Sequence, residues 1–180
     1  MKKTINLLFA AALACSPLAS MAQQSATWNP NLPGGKYRNP VINADYSDPD
    51  VCRVGNDYYM TSSSFACFPG LQILHSTDLV NWKFIGAALQ DDYPVLPEFR
   101  GTNLDWRKRI QHGNYVWAPA IRDHDGWFYI YWGDPDQGLF MTKTQDPAGT
   151  WTTPVCVKPG KGMIDCCPLW DEDGKAYLSH

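Results

Sequence analysis

From Asp50 onward the chain runs in short apolar stretches cut by polar turns. "VCRV", "YYMTSSSF", "LQILHS", "WKFIGAAL", "APAIRD", "WFYIYWG", "LFMTKT", "PVCVKP" and "KAYLSH" are each bounded by Gly, Pro, Asn or Asp. Those residues end strands and build turns. No stretch of twelve residues keeps the 3.6-residue apolar period of an amphipathic helix. The pattern predicts an all-β chain.

The pattern also repeats. Asp48 stands eleven residues before Tyr59, Ala118 eleven before Tyr129, and Asp165 twelve before Tyr177. In each unit an apolar run meets a tight turn ("GND", "HDG", "EDG") and an aromatic run leaves it, a strong local signal for a hairpin. The first two units continue alike, through "LQILHSTDLVNWKFIGAAL" and "GLFMTKTQDPAGTWTTPVCV". Four strands per unit, with units tens of residues apart, is the pattern of β-propeller blades. The stretch "QDDYPVLPEFRGTNLDWRKRIQHGNY" reads as a long connection between blades, and such loops usually line a functional face. The third unit stops at His180, inside its second strand. About two and a half blades cannot close a ring and so remove their sheet edges. The expectation is therefore the N-terminal part of a longer protein.

Composition narrows the class. The 180 residues are 44% hydrophobic and 18% charged, which is enough to bury a core, and the net charge of −3 comes without a long basic run. Nucleic acid and anionic membrane are thus poor partners. Eight Trp and nine Tyr are accounted for mostly by a bulky β core, with a few left over for stacking on sugars.

At the start, Lys2 and Lys3 precede an apolar run from Ile5 to Ala14, and "SMA" supplies small residues at Ser20 and Ala22. This reads as a signal peptide over residues 1–22, too short to span a membrane. Localisation would then be secreted or periplasmic. The alternative is lipidation at Cys15, which would anchor the protein to a membrane surface. Residues 23–38, rich in Pro, Gly and polar residues, read as a lead-in segment, and residues 39–180 as the propeller part. Five cysteines remain after Ala22: Cys52, Cys67, Cys156, Cys166 and Cys167. Their odd number and wide spread predict buried thiols with at most one bridge. No CxxC motif or Cys/His zinc spacing is present, so neither metal nor cofactor is expected.

The first strand of each propeller blade lines the central channel, and its start faces a common mouth. Asp48, Trp117 and Asp165 occupy those starts. Two acids and an aromatic would converge there. Turn capping by the two acids, which Asp often does, accounts for them equally well from repeat position alone. Asp45 reads as a loop acid. Asp50, two residues beyond Asp48 and so on the same side of the strand, reads as a hydrogen-bonding partner rather than a catalytic group. His75 reads as a strand residue with a local partner.

Three stretches carry a resemblance: "NPVINADYSDPDVCRVGNDYYMTSSSFACFPGLQILHSTDLVNW", "YVWAPAIRDHDGWFYIYWG" and "MIDCCPLWDEDGKAYL". In order, they resemble the opening blades of glycoside hydrolase family 43, over residues 39–180. The resemblance implies a five-bladed β-propeller and an inverting glycosidase acting on xylose- or arabinose-containing plant polysaccharide or oligosaccharide. It implies Asp48, before Pro49, as general base. It implies Asp165 as the group that raises the acid's pKa and orients substrate, although Cys166 stands where the family usually has Pro. It places Trp117 and Phe65 against the sugar, with Phe68 an equal competitor for the second position. The family's general acid, a Glu on a later blade, has no match; Glu98 and Glu172 lack the context. Two carboxylates and one carboxylic acid meet the needs of inversion. One activates a water, one protonates the leaving oxygen across about 6.5–9.5 Å, and a neighbouring charge keeps the acid protonated. The competing readings are a carbohydrate-binding propeller without catalysis and a fructan hydrolase on a related fold, whose Asn-Asp-Pro-Asn-Gly-like motif "YSDPDV" lacks.

Overall fold

The computed structural model of the protein describes residues 28–90, 93–105, 107–108 and 112–180. The signal peptide read over residues 1–22, the alternative anchor at Cys15 and the first part of the lead-in segment lie outside the described residues.

The fold is all-β. The lead-in segment holds a small hairpin, β1 (Asn31–Leu32) and β2 (Lys36–Tyr37), joined by a single 3-10 turn over Pro33–Gly35. A first antiparallel sheet follows in chain order: β3 (Asp50–Val54), β4 (Asp57–Thr61), β5 (Gly70–Ser76) and β6 (Lys83–Leu89). A second sheet has the same up-and-down order: β7 (Trp117–His124), β8 (Trp127–Asp134), β9 (Gly138–Thr144) and β10 (Val155–Pro159). The hairpin β11 (Cys167–Trp170) and β12 (Ala176–Ser179) begins a third.

The turns do what their residues allow. Gly55, Gly126 and Gly174 each take a positive φ in the β3–β4, β7–β8 and β11–β12 turns, the conformation that tight hairpins require and Gly supplies without a Cβ clash. One predicted strand is shorter than expected. β4 ends at Thr61, because the following serines turn to other partners. The Ser63 amide donates to Ser47 O (2.9 Å) and the Ser64 hydroxyl accepts from the Leu71 amide (3.1 Å).

Alternation decides the packing. Along β8, Phe128, Ile130 and Trp132 are buried while Trp127, Tyr129 and Tyr131 are half-buried, the period of two that puts successive side chains on opposite faces. The buried face meets Leu71, Ile73 and Leu89 of the first sheet and Ile121 of β7 in one cluster. Each fully buried side chain of this size contributes about 1.5–3 kcal/mol. On the other face Trp170 of β11 stacks on His124 (centroids 4.6 Å apart) and tilts against Tyr129 (5.0 Å). Part of the aromatic richness is thus inter-sheet packing. All five described cysteines are free. His75 has its local partner, Asp57, at 2.6 Å.

Candidate active site

The first strands of the three units, β3, β7 and β11, lie side by side, although each joins a backbone ladder only within its own sheet. Their starts share an unusual backbone. Asp48, Ala118 and Asp165 have φ of 48°, 33° and 54°. Non-Gly residues rarely adopt this left-handed region, and residues held there concentrate at functional sites. Phe65 (φ 49°) and Tyr115 (φ 78°) border the same place. The counterpart of the two aspartates is therefore Ala118, and Trp117 stands one position ahead of it.

Asp48 is exposed but held. Its Oδ2 accepts from the Ser47 hydroxyl (2.8 Å) and from the Ser63 hydroxyl (2.7 Å). The Ser63 oxygen in turn accepts from the Ala118 amide (2.8 Å). Both donors fall on one carboxylate oxygen, and Oδ1 has no partner among the described residues. Hydroxyl donors of this kind fix the orientation of the carboxylate.

Asp165 is exposed and has no hydrogen-bond partner among the described residues. Its position is set through the backbone. Ile164 and Met163 press on Gly133, and Gly133 pairs with Trp117 across β7 and β8. Asp165 has nearly the φ of Asp48, although Cys166 follows it where Pro49 follows Asp48. The Cys166 side chain is buried, and burial pushes its thiol up to about 12, so it fills space as a neutral group.

Trp117 is half-buried, and its indole N–H donates to Gly113 O (2.5 Å). Phe65 exchanges backbone hydrogen bonds with Val116, at 3.0 and 3.4 Å, which seats it beside Trp117. Phe68 instead tilts against Tyr93, with centroids 4.4 Å apart. The structure thus brings Asp48, Ser63, Phe65 and Trp117 together at the junction of the first two sheets. Asp165 stands at the start of β11, next to Ile164, whose backbone lies against Gly133, the β8 partner of Trp117. Glu98 lies in the long connection, where it lines a cavity of about 460 Å³ with Phe99, Asp136, Gln137 and Lys161. Glu172 sits in the β11–β12 turn.

Asp50 is a structural partner, as its place on the strand implies. Its Oδ2 accepts from the Ile121 amide (2.7 Å) and the Arg122 guanidinium (2.5 Å). Burial works against the Arg122 charge, but Asp50 and then the Cys167 sulfur outweigh it and the guanidinium pKa rises. Ser63 and Arg122 were not singled out in the sequence. Only the serine run "SSS" after a strand that points at Asp48 could have marked the first.

Residues 37–180 match the model of Glycosyl hydrolases family 43. The chain belongs to that family. Over 156 residues it is 42% identical to a non-reducing end α-L-arabinofuranosidase of Bacteroides ovatus, a match covering 83% of this chain and 27% of the relative. It is 34% identical over 151 residues to a β-xylosidase of Bacillus subtilis, covering 79% and 26%. Among solved structures, the xylan β-1,4-xylosidase of Bacillus halodurans aligns with a TM-score of 0.63 at 29% identity, over 78% of this chain and 26% of that one. The chain spans about a quarter of the length of these family 43 relatives.

Proposed function

We propose that this chain carries the base side of an inverting family 43 glycosidase, built on a five-bladed β-propeller and acting on xylose- or arabinose-containing oligosaccharides or polysaccharides. In this reading Asp48 is the general base. Its Oδ2 is saturated by Ser47 and Ser63, so its Oδ1 is the oxygen that takes a proton from the attacking water. Asp165, at the start of β11, supplies a second negative charge to the same site. That charge raises the pKa of the general acid by repulsion and helps hold the sugar. Trp117 and Phe65 offer ring faces for the apolar side of a pentose. The acid itself is assigned to sequence beyond these 180 residues.

The observation that carries this reading is the shared left-handed backbone of Asp48 and Asp165 at the starts of the two strands that flank β7, with Asp48 oriented by two hydroxyls. Turn capping alone gives no reason for Ser63 to reach Asp48 from beyond the end of β4. The reading includes export, with cleavage after Ala22. N-terminal sequencing of the mature protein should begin at Gln23, and a lipidated Cys15 would overturn that part.

The activity is tested with the complete protein on nitrophenyl β-xyloside and nitrophenyl α-arabinofuranoside, with the product anomer followed by NMR. Turnover of at least one substrate with inversion is expected. Retention of configuration contradicts the mechanism. Sugar binding without turnover turns the protein into a binding propeller.

A further inference from the structure

The strands that present Asp48 and Asp165 belong to different sheets, so no backbone ladder sets their spacing. Side chains must do it. Arg122, on β7 between them, reaches both neighbours. One guanidinium nitrogen donates to Asp50 Oδ2 (2.5 Å) on β3 and to its own strand at Ile121 O (2.6 Å). The other donates to Cys167 Sγ (2.9 Å) on β11. Asp50 also takes the Ile121 amide (2.7 Å), so the β3–β7 contact is doubly tied.

The two anchors are equivalent positions. Asp50 is two residues after Asp48, and Cys167 is two residues after Asp165. Each carboxylate is therefore only two residues along the chain from a partner of the same guanidinium. The Asp50–Arg122 pair is about two-thirds shielded from solvent, with side-chain exposures of 29% and 31%, and so is screened less than a surface pair.

We propose that Arg122 is a positioning residue of the family 43 site. Its planar fork fixes the spacing of the Asp48 and Asp165 carboxylates by clamping the residue two places beyond each. This rests on the catalytic reading of Asp48 and Asp165. A guanidinium can hold two partners in a fixed plane, while an ammonium acts as a single point charge. A misplacement of about 1 Å can cost on the order of 100-fold in rate, so loosening the clamp lowers turnover more than sugar binding.

The test is kcat and KM of the complete protein on one aryl pentoside, with circular dichroism and Tm for each variant. Arg122→Lys keeps the charge and loses the fork. Its kcat should fall at least tenfold while KM stays within threefold. Asp50→Asn keeps the shape and an acceptor for Ile121 but loses the ion pair, and should show a smaller loss of the same kind. Arg53→Lys, on β3 with its guanidinium on the Gly55 carbonyl, should match wild type. A folded Arg122→Lys variant with kcat within threefold of wild type overturns the inference. So does a loss that only tracks the unfolded fraction. Should Arg122→Lys fail to fold, Asp50→Asn decides by the same criterion. A wild-type protein inactive on all pentosides overturns the functional reading itself and takes the clamp with it. An active wild type with an unaffected Arg122→Lys sinks the clamp alone.

Discussion

Gly133 offers a way to move Asp165 without touching it. It lies near the end of β8, paired with Trp117, and a Cβ built on it meets the Ile164 Cα at 2.8 Å and the Met163 carbonyl at 2.8 Å. Carbon atoms at optimal separation are about 3.5–4.0 Å apart. Gly133→Ala therefore needs the 163–164 backbone to retreat by about 0.7–1.2 Å. No flexible side-chain tip can absorb this, because both contacts are main chain. Asp165 is the next residue and must move with it. Overpacking of this kind costs about 1–3 kcal/mol of stability. A shift near 1 Å in a substrate-contacting carboxylate costs on the order of 100-fold in rate. The assay is kcat on an aryl pentoside alongside urea unfolding, both on the complete protein. A kcat loss of tenfold or more in folded Gly133→Ala is expected. A variant destabilised as predicted yet turning over within threefold of wild type would show that Asp165 does not act where the backbone puts it.

Ser63→Ala removes a donor from Asp48 and strands the Ala118 amide. The loss of a buried partner should cost about 1–3 kcal/mol, with kcat falling as Asp48 loses its orientation; unchanged kcat would detach Ser63 from the site. Asp165→Asn should lower activity and move the higher pKa of the pH–rate profile downward, since the charge that holds up the acid's pKa is gone; an unmoved limb contradicts that role. Asp78 is a stability test away from the site. Desolvation pushes its carboxyl up, but donors from Asn81, Val80 and Ser76 prevail and hold it at about 2, below the ordinary 3.8. A depressed carboxylate stabilises the fold above its unfolded value, and that contribution fades as pH falls toward the folded one. Because the site is exposed, Asp78→Asn should cost no more than about 1 kcal/mol at neutral pH. The gap to wild type in urea unfolding should close between pH about 4 and about 2.

Much of the fold is local and so was legible. The turns "GND", "HDG" and "EDG" sit where hairpins form, and the apolar runs around them are strands. Asp48 and Asp165 could be paired by repeat position because a shared backbone conformation goes with a shared place in the unit. What was not legible depends on contacts between sheets. Ser63 meets Ala118 across 55 residues and Asp50 meets Arg122 across 72, and no periodicity records such a meeting. The β1–β2 hairpin escaped notice for another reason. Two residues per strand around Pro33, Gly34 and Gly35 leave no alternation to read.

The central claim is that Asp48 takes the proton from the attacking water, and kcat of Asp48→Asn on an aryl pentoside tests it most directly. Asn keeps the size of the side chain and an oxygen for the Ser47 and Ser63 hydroxyls, but it cannot act as a base. General-base assistance contributes about 10²–10⁴-fold. Asp48→Asn should fold, bind sugar as wild type does and lose at least 100-fold in kcat. An Asp48→Asn variant within threefold of wild type would make Asp48 a turn cap and contradict the account.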